Sequence, residues 1–166
     1  MPRAILIGPP GSGKSVVGKA LSKALGATFI DTDKVIEARA GRTISDIFVD
    51  DGEEVFREME FETLVECLKN KDAVLSLGGG APISPRAQEV LAASGAPVIF
   101  LDVSLSVAAP RVGFNRDRPL LLGNPRAQWQ ALYEKRKPIY SKLATMTIQG
   151  DSMKAHEIAS AIAKAL

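Results

Sequence analysis

The stretch "GPPGSGKS", residues 8–15, fits the pattern G-x-x-x-x-G-K-[ST] and lies between a short apolar run and an amphipathic segment. Glycines at positions 8, 11 and 13 allow the backbone to curl so that successive N–H groups point inward at phosphate oxygens. The positive end of the following helix adds to this field. Lys14 can reach the β- and γ-phosphates of a nucleotide, and the Ser15 hydroxyl can ligate Mg²⁺. The pattern therefore predicts a phosphate-binding loop between a strand and a helix.

Short apolar runs alternate with helix-period stretches along the rest of the chain. The predicted strands cover residues 4–7, 28–30, 73–77, 97–101 and 145–149. The predicted helices cover residues 14–25, 34–39, 43–49, 53–69, 84–93, 104–111, 126–140 and 153–166. This alternation favours a parallel sheet covered by helices on both faces, with ligands bound beyond the carboxyl ends of the strands. That edge would bring together the phosphate loop, Asp31, Asp33 and the glycines at 78–80.

Residues 112–125 (VGFNRDRPLLLGNP) interrupt this pattern, with two glycines and two prolines and no period of their own. A loop of this length inside a compact domain is usually functional, so we expect a mobile lid over the site. The 166 residues are otherwise of a size that one hydrophobic core can hold. We therefore expect a single domain over residues 1–166.

Composition restricts the classes of function. The chain is 46% hydrophobic and 24% charged with a net charge of only +2, which gives no support to a nucleic-acid or membrane-surface role. Cys67 is the only cysteine, which excludes an internal disulfide and a zinc cluster built from cysteines, and His156 is the only histidine. No apolar stretch of 18 residues and no signal-peptide pattern occurs, so we expect a cytoplasmic protein.

Two common classes of phosphate-loop protein fit poorly. A GTPase should carry an N-K-x-D element, and "NKD" at residues 70–72 is one residue too short for it. A motor ATPase should end a central strand with a metal-binding aspartate, and no acid closes the strand at 73–77. The second metal ligand beside Ser15 must then lie elsewhere, and Asp31 is the nearest candidate.

With these elements the chain resembles the shikimate kinases over essentially its whole length. The matching motifs are G-x-x-G-x-G-K-S at 8–15, D-T-D at 31–33, F-R-x-x-E at 56–60, G-G-G-A at 78–81, R-P-L-L at 118–121 and R-x-P-x-Y at 136–140. The resemblance implies a P-loop kinase fold of three α/β/α layers, with a five-stranded parallel sheet in the order 2-3-1-4-5. It implies an enzyme that transfers a phosphoryl group from ATP to the shikimate 3-hydroxyl, giving shikimate 3-phosphate and ADP.

The resemblance also implies a substrate site. Arg57 and Arg136 would bind the shikimate carboxylate, since a guanidinium fork can meet a carboxylate with two parallel hydrogen bonds. From the residues alone, Arg57 could equally form an ion pair with Glu53, and Arg136 could be a solvated charge near a helix end. Gly79 and Gly80 would let the backbone approach the substrate closely.

For the chemical step, the resemblance implies three catalytic residues, Asp33, Lys14 and Arg118. Asp33 would accept a hydrogen bond from the attacking hydroxyl, orienting it first and taking its proton late, since a loose transition state asks little of a base. Mg²⁺ would be held by Ser15 and Asp31. ATP would be bound by Gly11, Ser12, Gly13, Lys14, Ser15, Arg111 and Arg118, with Arg111 along the adenine ring.

Some questions remain open at this level. Another small hydroxy-acid kinase, such as a gluconate kinase, would share the carboxylate and hydroxyl requirements, and a non-catalytic nucleotide-binding regulator would share the phosphate loop. The stretch "QGDSMKAHE" at 149–157 does not match the family's adenine-contacting loop and gives no candidate residue there. We expect a monomer whose partners are ATP and shikimate, without nucleic acid or membrane. We also expect Asp33 to have a secondary role as the cap of the helix that begins at Lys34.

Overall fold

The computed structural model describes residues 1–112 and 124–166, and residues 113–123 lie outside this description. The described residues form five strands, which are β1 (Ala4–Ile7), β2 (Thr28–Asp31), β3 (Ala73–Ser76), β4 (Val98–Asp102) and β5 (Met146–Gln149). They also form eight helices, which are α1 (Lys14–Leu25), α2 (Thr32–Ala40), α3 (Ile44–Asp51), α4 (Glu53–Cys67), α5 (Pro85–Ser94), α6 (Leu105–Val112), α7 (Pro125–Leu143) and α8 (Ala155–Ala165).

The strands of the described residues build one sheet in the order β2-β3-β1-β4-β5, and every neighbouring pair is parallel. This confirms the predicted order 2-3-1-4-5. The central strands β1 and β3 are buried along their whole length, as expected for strands that are apolar except for Ser76, whereas the edge strands β2 and β5 are partly exposed.

Helices cover both faces of the sheet, which confirms the three-layer α/β/α architecture. On one face α1 and α8 pack through Val17, Leu21 and Ile162 against Leu6 and Ile99. The other face is covered by α4, α5 and α7, and its core holds Ile5, Ile7, Leu64, Cys67, Leu75, Leu91, Phe100, Trp129, Tyr133 and Tyr140. No helix in the described ranges is long and apolar enough to cross a membrane.

The helix after β2 begins earlier than the sequence suggested. The chain passes directly from β2 into α2 at Thr32, and the cap of this helix is Asp31, whose Oδ1 accepts a hydrogen bond from the Asp33 amide at 3.0 Å. The prediction that Asp33 caps a helix starting at Lys34 is therefore wrong. Asp33 instead lies in the first turn of α2, where a negative side chain is favourable.

Gly8 positions the phosphate loop against the sheet as the chain leaves β1. Its φ is +150°, and a Cβ built there would meet the backbone carbonyl oxygen of Leu101 at 2.7 Å. Because the obstacle is the backbone of a central strand, neither partner can move aside by changing a rotamer. Gly26, which ends α1, also has a positive φ, of +65°, but a Cβ there meets nothing within 4 Å.

This contrast gives a stability prediction. We expect Gly8→Ala to lower the free energy of unfolding by about 2 kcal/mol or more, since it adds a steric conflict to the left-handed backbone. Gly26→Ala should cost about 1 kcal/mol, because it carries the backbone penalty alone. Urea denaturation of the two variants beside the unaltered chain measures both values. Equal losses in the two variants would contradict the close approach at Gly8.

Candidate active site

A cavity of about 450 Å³ opens at the carboxyl edge of the sheet, between the phosphate loop, the end of β2 and the turn after β3. Its walls include Gly11, Ser12, Gly13, Lys14, Ser15, Asp31, Asp33, Gly78 and Arg111. Parallel strands place all their carboxyl ends on one edge, so residues far apart in sequence meet there. The expectation that the phosphate loop, the two acids and the glycine triplet share one edge agrees with this geometry.

Lys14 lies within the curl of the phosphate loop. Its Nζ donates to the carbonyl oxygens of Gly8 at 2.8 Å and Pro9 at 2.9 Å, and to Ser12 Oγ at 3.4 Å. The side chain is buried but lines the cavity. A nucleotide phosphate entering the cavity would therefore meet an ammonium group whose position is already set by the loop.

The two predicted metal-binding residues are in direct contact. Ser15 Oγ donates to Asp31 Oδ2 at 3.1 Å, across 16 residues of sequence. Within residues 1–112 and 124–166 no group of three or more His, Cys, Asp and Glu residues could hold a metal ion. One carboxylate and one hydroxyl fit Mg²⁺, which commonly takes one or two carboxylates and completes its shell with water and substrate phosphates.

Each glycine of the triplet at 78–80 has a different partner. A Cβ on Gly78 would meet Asp33 Oδ1 at 2.6 Å, and a Cβ on Gly79 would meet Pro10 Cδ at 3.1 Å and Arg136 Nη1 at 3.4 Å. A Cβ on Gly80 would meet Arg57 Cζ at 2.9 Å. The three glycines are thus explained by close packing. Gly78 also belongs to the site, because it packs closely against Asp33, although its motif gave it no individual role.

Arg57 and Arg136 line a second cavity of about 270 Å³ beyond the triplet. The Arg57 side chain is 29% exposed and donates to Glu60 Oε1 at 2.8 Å and to Glu53 Oε1 at 3.4 Å. The ion pair with Glu53 that the residues alone suggested is therefore present. It is the longer of the two ion pairs, and the guanidinium still faces the cavity that Arg136 shares.

Glu60 completes this group, and sequence reasoning gave it no role beyond its place in the F-R-x-x-E motif. Its side chain is only 5% exposed. Burial raises the pKa of Glu60 above the ordinary carboxyl value, while the charge and hydrogen bond of Arg57 act in the opposite direction. The Asp33 charge raises the pKa of Glu60 further, whereas Arg136 lowers it. A buried carboxylate thus lies within the field of both arginines and of the predicted base.

Helix α7 supplies a further contact to the glycine triplet. The Tyr140 hydroxyl donates to the Gly79 carbonyl oxygen at 2.5 Å, and its ring is fully buried. Burial raises the pKa of Tyr140 to about 12, so the group remains a neutral donor at ordinary pH. The backbone of the turn is therefore held from the same helix that carries Arg136.

Arg111 and an apolar wall border the phosphate loop at one end of the first cavity, and of these the sequence identified only Arg111. Arg111 Nη1 donates to the Gly11 carbonyl oxygen at 3.0 Å, so this arginine lies against the phosphate loop. Beside it the wall is apolar, formed by Val112, Met153 and Ile158. The apolar spacing of Ala155 and Ile158 in α8 was the one available signal, and it reads equally well as core packing.

Several predicted features fall on residues that the structure does not describe. Arg118, its neighbour Arg116 and most of the predicted lid at 112–125 lie within 113–123, outside the described residues. The roles given to Arg118 and to the lid stay predictions.

Comparison with known proteins gives a consistent result. The model of the shikimate kinase family matches residues 10–166. The shikimate kinase of Thermobifida fusca is 50% identical over 165 residues, covering 99% of this chain and 95% of its own, and that of Mycobacterium bovis is 48% identical over 148 residues, covering 89% and 83%. A solved structure of the shikimate kinase from Acinetobacter baumannii in complex with shikimate superimposes with a TM-score of 0.95 at 34% identity, covering 99% of this chain and 92% of that one.

The burial of Glu60 predicts a pH dependence of stability. Because its pKa is raised in the folded state, the folded chain holds this proton more tightly than the unfolded chain does. The stability that this carboxyl contributes is therefore fully present below its unfolded pKa, near ~4.3, and is lost as pH rises through the folded value. Glu60→Gln is neutral at every pH, so as pH rises through this window the variant should become more stable relative to the unaltered chain, with a larger free energy of unfolding by comparison.

Urea denaturation over a series of pH values measures this effect. Glu58→Gln on the same helix is the matched control, because the hydrogen bond from Arg86 lowers the pKa of Glu58 and its stabilising contribution is lost as pH falls. The two variants should therefore drift in opposite directions with pH. A parallel drift would contradict the burial effect at Glu60.

Proposed function

The chain belongs to the shikimate kinase family and catalyses the ATP-dependent phosphorylation of shikimate, and we propose that the residues around the glycine triplet carry this reaction at the shikimate 3-hydroxyl. The observation that supports the proposal is the order of contacts along three consecutive residues. Asp33 lies at Gly78, the phosphate loop and Arg136 at Gly79, and Arg57 at Gly80. A small molecule along this turn would meet a carboxylate at one end and guanidinium groups at the other.

In this arrangement the shikimate carboxylate binds the paired guanidinium groups of Arg57 and Arg136. Arg57 is held by Glu60 through Nη1 at 2.8 Å and by Glu53 through Nη2 at 3.4 Å, and its side chain lines the cavity beside Arg136. The hydroxyl end lies toward Asp33, which accepts a hydrogen bond from the reacting 3-hydroxyl. Gly79 and Gly80 serve the substrate site because, without side chains, they let Arg136 and Arg57 approach the backbone of the turn.

The chemistry is in-line phosphoryl transfer. The 3-hydroxyl oxygen forms a bond to the γ-phosphorus as the bond from that phosphorus to the β–γ bridging oxygen of ATP breaks, and the proton passes late to Asp33 and then to solvent. Lys14 exchanges the carbonyl oxygens of Gly8 and Pro9 for phosphate oxygens. Ser15 and Asp31 would hold Mg²⁺, which would offset the negative charge of the phosphates.

ATP lies along the first cavity with its phosphates on the loop at Gly11, Ser12 and Gly13. The adenine ring lies at the apolar end, between Arg111 and the wall that Met153 and Ile158 form. Arg118 stabilises charge on the transferring phosphoryl group, and the segment 112–125 acts as a lid that excludes water.

The chain acts as a single domain over residues 1–166, as a monomer in the cytoplasm, without nucleic acid or membrane as a partner. One sheet with a core on each face organises the described residues, and the net charge of +2 gives no compositional support for binding an acidic polymer.

A coupled assay with Mg²⁺ and ATP tests the function, with initial rates measured on shikimate and on gluconate. We expect phosphate transfer to shikimate with a kcat/KM far above that for gluconate. Preferential turnover of gluconate would support a different hydroxy-acid kinase. Single-turnover experiments in which no phosphoryl group reaches either acid would support a non-catalytic nucleotide-binding regulator.

Arg136→Lys tests the carboxylate site. A lysine ammonium is a point charge without the guanidinium fork, so the KM for shikimate should rise about tenfold while the KM for ATP changes little. Arg126→Lys makes the same substitution at an exposed position of the same helix and should leave both constants unchanged. An equal rise of both KM values in Arg136→Lys would count against the assignment.

Asp33→Asn tests the orienting carboxylate. The amide cannot accept the proton, so kcat should fall by about two orders of magnitude or more while Tm changes little. Asp46→Asn is the matched control, because Asp46 also lies in the first turn of a helix but on α3, away from the cavity. If both variants lose only a little stability and no activity, Asp33 would be a helix-terminal charge alone.

A further inference from the structure

Trp129 connects helix α7 to the phosphate loop. Its indole Nε1 donates to the carbonyl oxygen of Pro10 at 2.8 Å, across 119 residues of sequence. The side chain is only 3% exposed, and its ring packs on Tyr133 with 4.9 Å between ring centroids. A buried indole usually needs a partner for its N–H. Here that partner is a backbone atom of the nucleotide-binding loop.

The Pro10 carbonyl belongs to a run of four, and the structure gives each of them a donor. The carbonyl oxygens of Gly8 and Pro9 accept from Lys14, within the loop itself. The oxygen of Gly11 accepts from Arg111 on α6, and that of Pro10 accepts from Trp129 on α7. Carbonyl oxygens facing a phosphate would repel it, so a phosphate-binding loop must hold them turned away.

The sequence of this loop makes the orientation of the Pro10 carbonyl important for the backbone donors of the loop. Pro9 and Pro10 have no amide N–H, so the first backbone donor after Gly8 is the amide of Gly11. The Pro10 oxygen and the Gly11 N–H belong to one planar trans peptide, in which they point in opposite directions. The bond from Trp129 therefore fixes the direction of the Gly11 amide, and Gly11 lines the nucleotide cavity.

Helix α7 is itself well anchored. The Tyr133 hydroxyl donates to Asp102 Oδ1 at the end of β4, and Lys137 lies 3.5 Å from the other oxygen of the same carboxylate. One turn further on, Tyr140 donates to the Gly79 carbonyl oxygen. The indole N–H thus projects from a helix that is hydrogen-bonded both to the end of β4 and to the turn after β3.

We propose that Trp129 is a positioning residue of the reaction, which orients the Gly11 amide toward the nucleotide phosphates through its hydrogen bond to the Pro10 carbonyl. The proposal deepens the proposed function and rests on it for the identity of the nucleotide. Trp129 touches neither substrate in this scheme. Its effect should appear in the binding of the phosphates and be absent from the binding of shikimate alone.

The test exploits the fact that Trp129 is the only tryptophan of the chain. Protein grown with benzothienylalanine, whose ring sulfur replaces the indole N–H, loses this one donor and keeps the ring. Isothermal titration with MgADP should give a Kd raised on the order of tenfold, and the KM for ATP should rise with it. The Kd for shikimate alone should stay within about twofold. Trp129→Phe, made genetically, should show the same split.

Tyr133→Phe is the matched control on the same helix. It removes the hydrogen bond to Asp102, which does not involve the phosphate loop, so Tm should fall while the Kd for MgADP stays unchanged. An unchanged Kd for MgADP in the benzothienyl protein would overturn the proposal. An equal loss of MgADP affinity in Tyr133→Phe would also overturn it, since the effect would then come from a loosened helix.

Failure of the proposed function would be recognised separately. MgADP binding requires no shikimate, so the comparison of the natural and benzothienyl proteins decides the role of Trp129 even if the chain does not phosphorylate shikimate. If the unaltered chain does not phosphorylate shikimate, the proposed function is overturned, and the Trp129 comparison still stands.

Discussion

The absence of three side chains at Gly78, Gly79 and Gly80 is the constraint on which the site depends. The turn that follows β3 passes so close to Asp33, Pro10 and Arg57 that a Cβ at any of the three positions would lie 3.1 Å or less from one of them. Separate elements supply these partners, since Asp33 comes from α2, Pro10 from the loop after β1 and Arg57 from α4. The turn therefore brings together groups that are far apart in the sequence.

The fold was predictable because its signals are local. Apolar runs mark the buried strands, and the glycine-lysine-serine pattern marks a strand, a loop and a helix in succession. The order of the strands in the sheet came from the family resemblance, because local patterns do not determine it. The start of α2 was less accessible, because Asp31 both ends a strand and caps a helix, and no spacing rule separates these roles. The role of Glu60 depends on its burial by neighbouring elements of the fold. The F-R-x-x-E motif lies on α4 alone and does not indicate that burial. The apolar wall at Met153 belongs to the one stretch that the family pattern left without an assignment, and only folding brings it beside Arg111.

Electrostatics in the site follows from burial as much as from charge. Glu60 is nearly inaccessible to solvent, and burial acts on its pKa more strongly than the neighbouring guanidinium does. A buried carboxylate of this kind is tolerated because Arg57 donates directly to it. In the proposed reaction this pairing would assist binding, because an arginine side chain already held by Glu60 and Glu53 would lose less conformational freedom when a substrate carboxylate binds.

The polar contacts of the site fall into two groups that differ in what a substrate would do to them. In the proposed reaction the contacts of Lys14 with Gly8 and Pro9, and of Ser15 with Asp31, would be replaced on binding, because phosphate or Mg²⁺ would take the same atoms. The bonds from Trp129 to Pro10 and from Tyr140 to Gly79 would remain, because the proposed reaction assigns no substrate contact to these two carbonyl oxygens. The first group keeps the charged and polar atoms paired before the substrates bind. The second group holds the backbone of the phosphate loop and that of the glycine turn in place. Both of these last bonds come from α7, which also carries Arg136, so one helix contacts the backbone of the phosphate loop and that of the glycine turn.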